Sequence, residues 1–493
     1  MKEQLKNSSG ITLVALVVTI IILIILAVIS INIVLGDSGM INQAEKAKEH
    51  QANAEAEDYE RMGMLDNSIK EYMNADTGYV DSELIRSPKV NNGMIPVYWD
   101  GSNWIKTTTK DSKWYNYNNK EWANVVLSDA TFDGNKLDES KPYSQFVWIP
   151  RFAYKITSGW HSENTGTIEV IFVGTNNKSK DGTEYNGTYA DAISGITSGG
   201  SMKNFVVEPA FDYGDKKLEG FWIGKFESSH TGCTTDVTTG QAAFTGNEII
   251  QVKPNVTSWR NITIGDIFTT CLNMNRASNP YGLSTDDNVA DPHMAKNTEW
   301  GAVAYLSKSK YGKETEEVFV NNSVDFITGN AGATVSAEGV AGIANAYHTA
   351  KGQKASTTGN IYGVYDMSGG NWERMAAYMN NSHENLQTYG KSLVEGADKY
   401  KNVYAQGTTD SQELNYEAAR EKYGDAVYET SNGYFSTNAS WYGDWLYYMN
   451  EFNPFLARGG HNSDKTSAGT FAYAWNYGHA YEAYGFRVAI SVL

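Results

Sequence analysis

Between Arg458-Gly459-Gly460 and Gly485-Phe486-Arg487 runs a stretch of aromatic, amide and small residues that holds no cysteine. Its first polar members, His461, Asn462 and Asp464, offer hydrogen bonds but no thiol nucleophile and no soft thiolate ligand. From Phe471 onward large rings alternate with alanine or glycine: Tyr473, Trp475, Tyr477, His479 and Tyr481, with Asn476 among them and Tyr484 closing the run. In an extended segment a period of two places alternate side chains on one face. Tyr and Trp supply contact area with few rotors, and Asn, His and Ser supply adaptable hydrogen bonds, which is the chemistry of a recognition surface. His461, Asn462, Asp464, Tyr473, Trp475, Asn476, Tyr477, His479, Tyr481 and Tyr484 are therefore the candidate ligand-binding residues. The competing reading is a tyrosine-rich strand packed in the core, which would oblige many hydroxyls to find buried partners. No residue is assigned a catalytic role.

Other chemistry is sparse. Cys233 and Cys271 are the only cysteines, which excludes a disulfide framework and reads as two free, mostly buried thiols. The eight histidines are scattered, none pairs at i and i+4, and each reads as a surface or loop residue. Asp286, Asp287, Asn288 and Asp291 form an acidic loop that reads as a solvated turn, although its hard oxygen atoms leave calcium open as a cofactor. A formal charge of −17 repels phosphate backbones, so nucleic acid is not an expected partner.

The elements that carry these residues follow from the chain's patterning. Residues 1–10 read as a leader. Ile11 to Leu35 is an uncharged apolar run that as a helix rises ~37 Å, enough to cross a hydrocarbon layer of roughly 30 Å with tilt. It is too long for the apolar core of a secretory signal. Lys2 and Lys6 precede it and favour a cytoplasmic N-terminus, with the body outward. From 36 to 75 alanine, glutamate, lysine and glutamine dominate, which predicts a solvated helical stalk. Turn signals and short aromatic runs from 76 to 144 predict a small β-rich unit. The 493-residue length leaves room for a sizeable core in 145–493. There, spacings in Thr298 to Leu306 predict a helix with Thr298 at its start and Trp300 buried.

Three resemblances bear on these elements. Ser8-Ser9-Gly10 before Ile11-Thr12-Leu13 resembles a type IV prepilin, which implies cleavage between Gly10 and Ile11. The glutamate that pilins carry five positions after the cut is Ala15 here, so a membrane-anchored stem is the reading kept beside a pilus subunit. Downstream, Phe146-Val147-Trp148-Ile149-Pro150, Gly220 to Glu227, Asn255 to Trp259, Asn297 to Leu306, Gly359 to Glu373, Arg458-Gly459-Gly460 and Gly485-Phe486-Arg487 resemble, in order, the motifs of the formylglycine-generating enzyme (sulfatase-modifying factor) family. The resemblance implies an α+β, C-type-lectin-like fold over 145–493. It also implies that Trp300 and Trp372 are core residues and Glu373 a buried acceptor of backbone N–H groups. The family's oxidases carry a cysteine pair after the Arg-Gly-Gly, where this chain has His461 to Thr466, so the chain reads as a non-catalytic member. Members often bind calcium, and Gly370 stands where an asparagine ligand is usual. The last segment is also similar to the variable region of retroelement-diversified proteins of bacteria and phages.

Together these readings give a membrane-anchored, single-pass cell-surface binder with an extracellular body, associated with a pilus in one version. Its partner is an unidentified protein or glycan on another cell or particle. The alternatives are a formylglycine-generating-type oxidoreductase with an unrecognised site and a minor pilin or adhesion-tip subunit.

Overall fold

The computed structural model describes residues 18–26, 85–233, 244–246 and 248–493. The chain divides into two compact units, Met1–Asp81 and Ser82–Leu493. In the first, Val18 to Leu26 is helical with exposed side chains. The rest of the 11–35 span, the leader with Gly10 and Ile11, and the stalk lie outside the described residues. Among the described residues no helix is long and apolar enough to cross a membrane.

The second unit mixes helix and sheet. Its largest sheet has nine antiparallel strands, in the order Ala290–Met294, Val488–Val492, Gly220–Gly224, Ser144–Pro150, Asn124–Leu127, Met94–Trp99, Trp104–Lys106, Lys136–Leu137 and Phe132–Asp133. Ser144–Pro150 and Gly220–Gly224 are buried along their whole length, which is what an unbroken apolar strand needs on both faces. The residues expected as a separate β-rich unit form the outer half of this sheet and continue into its core without a break.

The helix Asn297–Lys308 is buried on every side. Its start differs from the expected cap. Glu299, three residues into the helix's first turn, reaches back to accept the Lys296 N–H at 2.8 Å, while the Thr298 N–H goes to Asn402 Oδ1 at 3.0 Å. Glu299 also meets His293 Nε2 at 2.9 Å in the interior, so His293 is a core residue rather than a surface one.

A second sheet carries the C-terminal motifs. Its strands run Asn402–Tyr404, Trp372–Met379, Phe455–Gly459, Gly469–Asn476, Leu446–Tyr447 and Phe435–Ser436, and Tyr484–Phe486 pairs in parallel with Trp372–Met379. Two arginines lock it. Arg458 gives Nε to Ala472 O at 2.8 Å, Nη1 to Asn297 Oδ1 and Asp425 O at 2.8 and 2.7 Å, and Nη2 to Ala426 O at 3.0 Å. Arg487 gives Nε to Glu373 Oε2 at 2.9 Å and Nη2 to the other carboxylate oxygen. Glu373 is thus a buried acceptor as expected, but of a guanidinium rather than of backbone N–H groups. Burial pushes its carboxyl up to about 7, against the pull of Arg487.

Candidate functional site

Gly469–Asn476 is extended, as its alternation predicts, but it is an interior strand. Phe455–Gly459 pairs with one edge and Leu446–Tyr447 with the other. One face sends Phe471 and Tyr473 into the main core, where Tyr473 stacks on Tyr448 with ring centroids 5.2 Å apart. The opposite face sends Ala472 and Ala474 into a small separate cluster with Trp372 and Ala457, against which Trp445 and Tyr484 pack. The expected exposed face is therefore corrected for Tyr473, which is fully buried. Its ring projects from the sheet face and is covered there by Tyr448 and the Arg458 guanidinium. Trp372 is buried as expected, yet in this satellite cluster rather than in the main core.

Asn476 and Asn462 need the same correction. Asn476 is buried and accepts Arg374 Nε at 2.9 Å and the Gly478 N–H at 2.8 Å. Asn462 is buried and donates to Ser323 O at 2.8 Å. Both hold backbone in place. His461 is half-buried against the Phe326 ring, and burial, helped by Arg260, lowers its pKa to about 4. Asp464 accepts the His461 N–H at 2.7 Å; burial raises its pKa, opposed by that bond and by one from the Trp372 side chain.

The remaining residues do come together in the open. Trp475, Tyr477, His479, Tyr481 and Tyr484 form a run of ring contacts with successive centroids 5.9, 5.6, 5.7 and 5.9 Å apart. Tyr477 and Tyr481 are 41% and 46% exposed, values rare for tyrosines in this unit. The backbone beneath them is pinned. The carbonyls of Gly478, Tyr481 and Ala483 accept N–H groups from Ile264, Asn261 and Trp372 at 3.0, 3.1 and 3.1 Å. Glu482 O accepts Arg260 Nη1 at 2.9 Å, and His479 O accepts Arg374 Nη2. Gly478 permits the turn: its φ is +92°, and a Cβ there would lie 2.6 Å from the Phe455 ring. Arg374 lies 4.9 Å from the Tyr484 ring centroid, a cation–π contact beneath the surface.

A second run of rings escapes sequence reading. Phe435 stacks on Tyr447 at 3.9 Å, Tyr447 meets Trp445 at 4.6 Å, and Trp445 meets Trp372 at 6.3 Å. Phe435 is 54% exposed. The two runs join because Trp372 and Tyr484 are register partners in adjacent parallel strands. The aromatic run from Trp441 to Tyr448 was the available signal, but nothing local links it to Tyr484.

The expected acidic loop is spread over separate partners. Asp286 caps its own turn at Asn288, Asp287 takes Asn275 Nδ2 at 2.8 Å, and buried Asp291 takes the Tyr400 hydroxyl at 2.9 Å and the Lys399 ammonium. Among the described residues no group of three or more His, Cys, Asp or Glu is placed to hold a metal. At Gly370 a Cβ would lie 2.4 Å from Glu227 Oε1, while Asn371 gives its N–H and Nδ2 to that carboxylate at 2.7 and 2.8 Å. Cys233 and Cys271 are free thiols, and burial pushes Cys233 up to about 11 and Cys271 well above its ordinary value.

No family profile matches the chain, and no curated protein matches it. Among solved structures it is similar to "Major Tropism Determinant P3c Variant" at 10% identity, over 84% of this chain and 99% of that one, with a TM-score of 0.23. A likeness of that size carries no argument about fold or ligand.

Proposed function

We propose that this chain is a non-catalytic surface binder with a lectin-like body, which grips a protein or glycan on another cell or particle through the two joined aromatic runs. The observation that carries the reading is the segment Tyr477–Tyr484: its carbonyls are held by five separate donors while Tyr477 and Tyr481 stay exposed and His479 and Tyr484 half-buried beside them. A rigid backbone presenting exposed aromatics loses little entropy on binding, which is how recognition loops gain affinity. The non-catalytic part rests on the sequence between His461 and Thr466, which holds no thiol, and on the suppressed ionisation of the two thiols elsewhere. Anchoring through 11–35, cleavage after Gly10 and diversification of the last segment belong to the same proposal. They rest on the sequence alone.

The test is a glycan and surface-protein array probed with the wild type, Tyr477→Ala, Tyr481→Ala and Phe435→Ala. Each substitution is expected to weaken capture by about 1–4 kcal/mol, as truncation of an interface anchor does. Undiminished capture by all three would remove the aromatic runs from the binding site. Copper-dependent formation of formylglycine in a thiol-containing peptide would instead restore the enzyme reading.

A further inference from the structure

The outer half of the nine-stranded sheet holds a cleft unconnected with the aromatic runs. It has a volume of about 470 Å³ and lies where Trp99, Trp104 and the Asp133 to Glu139 hairpin face Tyr347 and His348. That volume falls in the range of small-molecule sites, roughly 300–1,000 Å³. Its rings stand nearly upright to one another. Trp99 meets Trp104 at 5.5 Å and 64°, and Tyr347 at 6.4 Å and 69°. Trp99 is half-buried, so part of its ring is available to a ligand.

The polar groups decide the ligand class. Three carboxylates line the cleft, Asp133, Asp138 and Glu139, with Lys136 in the same wall. Two further lysines stand against them: Lys141 is 3.7 Å from Asp138, and Lys253 donates to the carbonyls of Glu139 and Lys141. The lining itself carries three carboxylates against one ammonium, so acceptors for hydroxyl groups predominate, with Ser102, Asn103 and Lys136 as donors. Trp104, 1% exposed, backs the cleft beside Tyr347, whose hydroxyl donates to the Glu139 carboxylate. The Asp100 carboxylate takes the N–H groups of Ser102 and Asn103 at 2.8 and 2.7 Å, fixing the turn that brings those two side chains to the rim.

We infer that this cleft is a second binding site, for a neutral sugar ring. The C–H face of a pyranose packs on Trp99, and its hydroxyls donate to the carboxylates and accept from Asn103 and Lys136. The inference is independent of the aromatic runs, with which it shares no residue.

The purified full-length chain is titrated with glucose, galactose, mannose and N-acetylglucosamine, followed by saturation-transfer NMR and by tryptophan fluorescence, with methylammonium as the charged control. At least one sugar is expected to saturate. Trp99→Ala and Asp133→Asn should each weaken it about tenfold, and Tyr481→Ala should leave it unchanged. Asp133 is exposed, so Asp133→Asn keeps the fold and carries the test if Trp99→Ala lowers the melting temperature. Failure of all four sugars to saturate, binding indifferent to Asp133→Asn, binding lost in Tyr481→Ala, or displacement by methylammonium would each overturn the inference.

Discussion

Phe471 to Asn476 and Tyr477 to Tyr484 are written in the same alternating hand and meet opposite fates. In the first segment the alternation is that of a strand with a neighbour on each edge: Phe471 and Tyr473 turn into the core, Ala472 and Ala474 face the satellite cluster, and only Trp475, at the strand's end, is half-buried and joins the outer rings. In the second there is no strand to either side until Tyr484. The carbonyls go to donors from Arg260, Asn261, Ile264, Trp372 and Arg374, and the rings stay out. Period two therefore fixes which residues share a face, while the partners of the backbone fix which face that is. The two segments differ in what their rings do for the protein: the first holds it together, and the second is free to hold something else.

The largest effect that can break this comparison is at Tyr473. Tyr473→Ala is expected to cost about 3–5 kcal/mol of folding stability, the range for emptying a buried aromatic site, read as a large fall in Tm. Its lost ring opens a gap beside Tyr448 and the Arg458 guanidinium, which lies 5.8 Å from the Tyr473 centroid. An unchanged Tm with loss of ligand would mean that the two segments are one surface after all.

Between them stands Gly478, and it sharpens the comparison at the point where one regime gives way to the other. Gly478→Ala combines a left-handed φ with a contact against the Phe455 ring. The expected cost is about 1–3 kcal/mol of strain. Hydrogen exchange should show the loss concentrated in the Tyr477–Tyr484 amides, with the Gly469–Asn476 ladder still protected. Uniform loss of protection would show that the loop is part of the same cooperative unit as the strand.

How much of this was legible in the sequence follows the distance over which each feature is set. The motifs at Phe146 to Pro150 and Gly220 to Glu227, noticed only by resemblance, lie on buried strands, while the spacing from Thr298 to Leu306 gave its helix directly, because periodicity is local. The cap at that helix went to Glu299 instead of Thr298, since Thr298 is claimed by Asn402, about a hundred residues on. Glu373 was read as buried, but its partner is Arg487, 114 positions away. The ring contacts through Trp445, Tyr447 and Phe435 depend on the pairing of Leu446–Tyr447 with Gly469–Asn476, which no single segment encodes. The side taken by Tyr473 was hidden for the same reason.

The smallest effect on stability is the one that matters most for the functional reading. Tyr477 and Tyr481 touch mainly each other's neighbours in the ring run, with nearly half of each exposed. Replacing either with alanine removes only part of a ring's burial, so folding stability should fall by about 1 kcal/mol, well short of the cost at Tyr473. Thermal melts of Tyr477→Ala and Tyr481→Ala beside Tyr473→Ala should therefore show two curves near the wild type and one far below it. A fall for the tyrosine variants comparable to that of Tyr473→Ala would place their rings in the structural class, and the ligand site would have to be sought along Phe435, Tyr447 and Trp445 alone. A near-native melt joined to lost capture is the pairing that only a recognition loop produces, because the same ring then contributes to binding without contributing to the fold.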